Sequence, residues 1–277
     1  MSPSRPLRRG TLAAAALALL MLLPLAVRAD QPLWELGLGV GALRVPHYRG
    51  SDQSHDWLLP IPYLVYRGQI FRSDREGTRA VLLDSERLDL DLSLAGSPPT
   101  RNGDDRARSG MPDLAATLGL GPNLNLRLAK GAYWKLDLRV PLRAEFTLGS
   151  GARSIGWTGS PLLNLDLSAQ GWSIGLQGSL QVATRRYHAY FYDVAPAYAS
   201  AGRPAYAAPG GAAGWDVTAS ASRRLGDWWV AAYARLDSLA GARFEASPLV
   251  RQRQNTSVGL AASWVFKTAE TRVADAR

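Results

Sequence analysis

The sequence contains no cysteine in 277 residues. That removes disulfides, thiolate nucleophiles, zinc knuckles and iron–sulfur ligation together, because each requires a sulfur atom. Histidine is scarce as well. His47, His55 and His188 have no H-E-x-x-H arrangement and no second close ligand set around them, so no metal and no other cofactor is expected. No G-x-S-x-G elbow, phosphate-binding loop or dinucleotide fingerprint joins a strand to a helix. What is present is basic charge, 32 Lys+Arg against 23 Asp+Glu for a net +9, which ordinarily points to a polyanionic partner.

Much of that charge belongs to a leader. Arg5, Arg8 and Arg9 precede an apolar run from Leu12 to Val27, and Val27-Arg28-Ala29 offers small or modest side chains where a signal peptidase reads. The run is short for a membrane span, and Pro24 breaks its helix. We therefore expect residues 1–29 to be a cleaved signal peptide, with the mature chain starting at Asp30. Four arginines and no acidic residue leave with it, so the net charge falls from +9 to +5. Export also takes the chain away from cytoplasmic nucleic acid, and no nucleic-acid partner is expected.

The mature chain alternates with period two. From Tyr133 to Phe146 (YWKLDLRVPLRAEF) one face collects Trp134, Leu136, Leu138, Val140, Leu142, Ala144 and Phe146, and the other Lys135, Asp137, Arg139, Pro141, Arg143 and Glu145. Successive strand side chains point to opposite faces, whereas a helix would mix the two sets. Similar alternation runs through Trp34–Ala42, Leu88–Leu94, Leu114–Leu128, Trp172–Val182 and Val258–Phe266. A soluble sandwich and a membrane barrel both produce such strands. Three features favour an antiparallel transmembrane β-barrel of the bacterial outer membrane. Several segments exceed ten residues, about the length of a tilted membrane-spanning strand. The non-lipid face carries Asp89, Asp91, Arg127, Lys135, Asp137, Arg139, Arg143, Glu145 and Asp166, as a polar lumen requires. Tryptophans 34, 57, 134, 157, 172, 215, 228 and 229 fall near strand starts and Trp264 near an end, matching interfacial aromatic girdles.

Short turns at Lys130-Gly131, Gln170-Gly171 and Gly226-Asp227 alternate with long connections over 96–110, 147–156, 193–214 and 240–255. We expect ten to twelve strands, preferably twelve, in one barrel over 30–266, with 69–85 ambiguous because Asp74 to Gly77 suits a turn. Residues 267–277 are a polar tail with no core to join.

The nine lumen charges have two readings: cross-strand pairing, which satisfies otherwise costly buried charge, or a constriction that filters solutes. A lipid-modifying enzyme could draw on Ser51, Ser54, His55 and Asp56, or on His188, but serine is common and such proximity in sequence is cheap. No catalytic residue is assigned. The connection after Asp193 carries Pro196-Ala197-Tyr198-Ala199 and Pro204-Ala205-Tyr206-Ala207. Tyr198, Arg203 and Tyr206 form a candidate partner patch, since aromatic and arginine side chains dominate interface energetics. Ordinary turn composition is the competing reading.

Pro46-x-Tyr48-x-Gly50-Ser51-Asp52 followed by Pro60-Ile61-Pro62-Tyr63-Leu64-x-Tyr66-Arg67 resembles the opening signature of the MipA/OmpV family. The resemblance continues through Tyr190-Phe191-Tyr192-Asp193-Val194, Gly202-Arg203-Pro204-Ala205-Tyr206 with Gly210-Gly211, and Ser247-Pro248-Leu249-Val250. It implies an outer-membrane barrel without catalytic residues. It also implies roles such as scaffolding a murein hydrolase with a murein synthase, adhesion, stress response or antibiotic uptake. Family barrels end on the last strand's aromatic residue, whereas Phe266 here precedes a polar tail of eleven residues, Lys267 to Arg277. The expected function is a non-enzymatic envelope scaffold for peptidoglycan-processing enzymes, in contact with outer-membrane lipid and lipopolysaccharide. A narrow pore for small solutes comes second and an outer-membrane lipid-modifying enzyme third.

Overall fold

The computed structural model describes residues 31–67, 71–74, 77–85, 87–149 and 151–273, so the leader expected over 1–29 lies outside the described residues. The strands are β1 (Gln31–Pro32), β2 (Trp34–Pro46), β3 (Ser54–Arg67), β4 (Phe71–Asp74), β5 (Gly77–Asp84), β6 (Leu88–Ser97), β7 (Thr117–Lys130), β8 (Trp134–Thr147), β9 (Arg153–Gly159), β10 (Leu162–Ala169), β11 (Trp172–Ala183), β12 (Gly211–Leu225), β13 (Trp228–Ser238), β14 (Gln254–Thr268) and β15 (Arg272–Val273). A helix, α1 (Arg185–Tyr192), and 3-10 turns at Arg106–Arg108 and Pro196–Tyr198 lie in the loops.

Strands β2 to β14 form one antiparallel sheet in which each strand but β9 pairs with the next in sequence, and β14 returns to β2. The remaining join falls at β9 and β10, each of which pairs with β8 on one side and β11 on the other. The sheet holds thirteen segments because this wall position is occupied by two of them. They are divided at Ser160 and Pro161, where the proline has no N–H to donate and its carbonyl accepts from Leu180 N at 3.0 Å. Strands β4 and β5 pair antiparallel from Phe71 opposite Ala80 to Asp74 opposite Gly77.

Exposure decides the direction of the two faces. On β8, Trp134, Val140 and Leu142 are 42%, 40% and 49% exposed, while Asp137 and Glu145 on the alternate face are each 5% exposed. The same inversion recurs at Leu38, Leu58, Leu180 and Leu260, all more than half exposed. A water-soluble sandwich would bury these leucines; a barrel in hydrocarbon presents them to lipid. No described helix is long and apolar enough to cross a membrane, and the spanning elements are strands.

Trp34, Trp134, Trp172 and Trp228 open their strands at the short-turn rim, and Trp264 registers with Trp228 at the same level. Trp157 and Trp215 lie several residues inside β9 and β12, towards the other rim. Trp57 sits on the inner face and stacks on His55 at 4.9 Å. The last strand runs to Thr268, two residues past the expected end, and residues 269–273 beyond it are paired. Ala269 N donates to Trp34 O, Leu33 N to Thr271 O, and β15 pairs with β1. Arg67 anchors this two-stranded ribbon by donating to Pro32 O at 2.7 Å and pairing with Glu35 at 2.6 Å.

Candidate functional site: a folded cap over a charged lumen

The lumen charges occupy adjacent strands at matching registers. Asp166 faces Lys135, Arg127 faces Asp137, and Asn125 faces both Asp89 and Arg139. Asp137 lies 3.4 Å from Arg139, 3.8 Å from Lys135 and 3.9 Å from Arg127, while Asp166 lies 3.5 Å from Arg139 and 3.6 Å from Lys135. Asp91 instead accepts from Asn123 at 3.1 Å and Asn125 at 2.8 Å. Arg143 and Glu145 use hydroxyls: Arg143 donates to Ser93 and Ser160, and Glu145 accepts from Thr158 at 2.7 Å. The cluster is a cross-strand network, as buried charge demands. Sequence reasoning missed its second half: Arg235 between Asp216 (3.2 Å) and Asp237 (2.8 Å), and Arg49, which reaches from the 47–53 loop to Asp237 at 2.9 Å.

The long connections are not independent polar loops. Tyr48, Met111, Leu114, Phe191, Tyr192, Val194, Leu239, Phe244 and Leu249 converge from the 47–53 loop and the β6–β7, β11–β12 and β13–β14 connections into one buried apolar cluster at the long-loop rim. Tyr192 stacks on Phe244 at 3.7 Å between ring centroids. Its hydroxyl donates to Arg49 O at 2.9 Å, and that of Tyr48 to Leu249 O at 2.8 Å. Such contacts knit the cap from its own backbone, which must be satisfied wherever water is excluded. Arg108 donates to Phe191 O at 2.9 Å and Pro112 O at 3.2 Å, and burial pushes its guanidinium below its ordinary range. Asn255 clamps the 47–53 loop from both sides, accepting from Gly50 N at 2.6 Å and donating to Ser51 O at 2.8 Å. Burial likewise raises the phenols of Tyr48 and Tyr192.

Two residues considered for nucleophilic chemistry lie within this framework. Ser51 donates to Asp105 Oδ2 at 2.6 Å, and His47 Nδ1 lies 3.1 Å from the same oxygen. The carboxylate stands where a triad would place its histidine, so the hydroxyl of Ser51 is held by a carboxylate and not by an imidazole. His55 stacks on Trp57, and Asp56 pairs with Arg44 at 3.7 Å. His188, fully buried on α1, shares Nδ1 with Pro209 O at 2.7 Å, which assigns the proton to that nitrogen. Its ring meets Phe244 edge-on at 4.6 Å. Among the described residues no group of three His, Asp or Glu side chains could hold a metal.

Tyr198, Arg203 and Tyr206 are brought to one loop and are half-buried. Arg203 donates to Tyr198 O, Ala107 O and Ser109 O at 2.9–3.1 Å, which makes it a strut between two loops. Tyr206 bridges back to Val194 and packs on the cluster together with Tyr198. Above them an open cup of about 640 Å³ is lined by Asp52, Arg106, Ser109, Arg203 and Arg251. Arg106 reaches Asp52 at 3.5 Å and remains 79% exposed, so the mouth of the cup is basic.

A closed antiparallel sheet with apolar side chains outside, paired charge inside and aromatic rings at its rim defines an outer-membrane β-barrel. The family model described as "MltA-interacting protein MipA" matches residues 38–266, and the chain belongs to that family. It is accordingly an outer-membrane protein. Comparison with curated proteins finds no match. Solved structures similar to it include a bacterial polysaccharide outer membrane secretin (9% identity, 86% of this chain and 100% of that one, TM-score 0.43). Outer membrane phospholipase A from Escherichia coli (10%, 86% and 98%, 0.32) and the Pseudomonas putida toluene transporter TodX (10%, 86% and 90%, 0.36) are also similar. Their activities carry no argument for this chain.

Proposed function

We propose that the protein is a non-enzymatic scaffold of the cell envelope. The cap carries this reading. Side chains that would line an open mouth are instead buried against one another across the long-loop rim, leaving a folded surface where a channel would have an entrance. An interaction is also what the family's description names. In the usual orientation of this class the long loops face outward and the short turns face the periplasm. The basic cup would then meet phosphate-bearing lipopolysaccharide, and the short-turn rim with its terminal ribbon would meet a periplasmic peptidoglycan-processing enzyme.

The test is photo-crosslinking in intact cells from Lys130 and Asp227 in two short turns and from Tyr198 in the cap. Adducts with a peptidoglycan hydrolase or synthase at Lys130 or Asp227, and not at Tyr198, are expected. Enzyme captured only from Tyr198, or no protein captured from either turn, contradicts the proposal. The second reading, a narrow pore, draws on the continuous charged lining of β6 to β10, and the cap opposes it.

A further inference from the structure

One stretch of the barrel wall is not closed by a ladder. β3 registers with β2 from Ser54 to Tyr66, and among the described residues its other edge registers through Tyr66 and Arg67, with Ser73 and Arg72 of β4. β4 pairs with β5 as far as Asp74 opposite Gly77, and among the described residues β5 joins β6 over Val81–Asp84, opposite Asp89–Asp91. Among the described residues, Ser54–Pro62 of β3 and Leu92–Ser97 of β6 therefore register with one neighbour alone. At about 3.3 Å per residue the shorter edge is roughly 20 Å long.

An open strand edge facing hydrocarbon leaves backbone groups unsatisfied and is tolerated only where it is buried in protein or lines a water-filled cavity. The sequence is adapted to such an edge. In an antiparallel sheet the N–H and C=O of one residue point to the same neighbour, and alternate residues serve alternate neighbours. Pro60 and Pro62 stand opposite Val40 and Leu38, and having no N–H they fit non-hydrogen-bonded pairs with β2. Their nitrogens then lie on the open edge, which removes two donors from its C-terminal end. The same prolines discourage a further strand from zipping onto that edge.

The lumen behind the edge also differs from the charged side. Trp57, Leu59, Ile61 and Tyr63 occupy the inner face of β3, opposite in parity to the exposed Leu58 and Leu64. Tyr63 meets Trp229 of β13 at 5.4 Å, and Gly41 of β2 leaves the space Ile61 fills, since a Cβ there would collide with Ile61 Cδ1. An apolar, aromatic wall thus lies beside the open edge, while the Asp137 and Asp166 network lies on β8 and β10.

We propose that this stretch is a lateral port between lumen and bilayer. It admits the hydrocarbon part of an uncharged or amphipathic small molecule, whose chain rests on the β3 wall while its polar end faces the charged strands. The port is independent of the scaffold role.

The cysteine-free chain allows a clean test with single bimane labels in vesicles of phosphatidylcholine brominated on its acyl chains. Label at the inner-face Leu59→Cys is expected to lose about half its emission or more, approaching the outward Leu58→Cys, because acyl chains enter by the open edge. Label at Gln177→Cys, on the polar side, is expected to keep nearly all of it. Ile61→Cys serves if the Leu59 variant does not fold. Amide exchange in nanodiscs gives the second readout: Asp56 and Leu58 should exchange about 100-fold faster than Leu59 and Ile61, whose N–H groups face β2. Quenching at Leu59 no greater than at Gln177, or equal protection of Leu58 and Leu59, overturns the port. Protection of Leu58 that rises with protein concentration overturns it in favour of edge pairing between two copies.

Discussion

Asp105 ties the 98–116 loop to the 47–53 loop. It is fully buried and accepts from Ser51 and Ala107, with His47 against the same oxygen as Ser51. Removing it leaves two buried polar side chains without their partner, a loss of about 3 kcal/mol. Asp105→Ala should therefore open the cap without dissolving the barrel. Trypsin should cleave at Arg101 or Arg106 in the variant, while the folded band on an unheated gel persists. His188 gives the cap a pH dependence. Burial holds its pKa below the ordinary 6.5, the Pro209 carbonyl acts the other way, and Arg49 adds to the lowering; Tyr187, Tyr192 and Phe244 are its aromatic neighbours. Folded His188 binds a proton less readily than unfolded His188, so its contribution is intact above pH 6.5 and lost as pH falls through the depressed folded value. Loop proteolysis should rise below pH 6.5, and His188→Phe should flatten that rise while still filling the space beside Phe244. The lumen network was legible in the sequence because period two puts the charges on one face and hairpin register puts them side by side. Asp105 was not, since its partners lie 54 and 58 residues away and no spacing rule relates one loop to another.

At the scale of elements, the strands follow from alternation, and their outer faces can be tested directly. Leu260, near the middle of β14, is 67% exposed. An arginine there meets hydrocarbon and should cost about 2–4 kcal/mol, read by denaturant unfolding from lipid vesicles. An inner-face control, Thr218→Lys on β12, should cost less than about 1 kcal/mol because the lumen is polar. Helix α1 escapes sequence reading for a physical reason: RRYHAYFY is too short to show a 3.6-residue period, and its buried residues His188, Phe191 and Tyr192 pack on loop residues distant in sequence. Proline at 60 and 62 is visible in the sequence only as part of a family signature. Its structural meaning, two missing donors along one edge, requires knowing where, among the described residues, β4 registers with β3, at Tyr66 and Arg67.

For the molecule as a whole, the sequence reading and the structure agree on an inside-out barrel and differ over its ends. The long connections read as separate polar loops, but they bury a common core, and the polar tail, expected to join nothing, pairs through β15 with β1. These features recast the long-loop rim from an entrance into a surface. In the proposed scaffold this cap closes the axial route and the protein works by contact. Recording from the purified full-length barrel in planar bilayers tests it most directly. A silent membrane with wild-type protein, and discrete conductance steps once Asp105→Ala has loosened the cap, are the predicted results. Stepwise ion conductance of the wild-type protein at neutral pH would contradict the account.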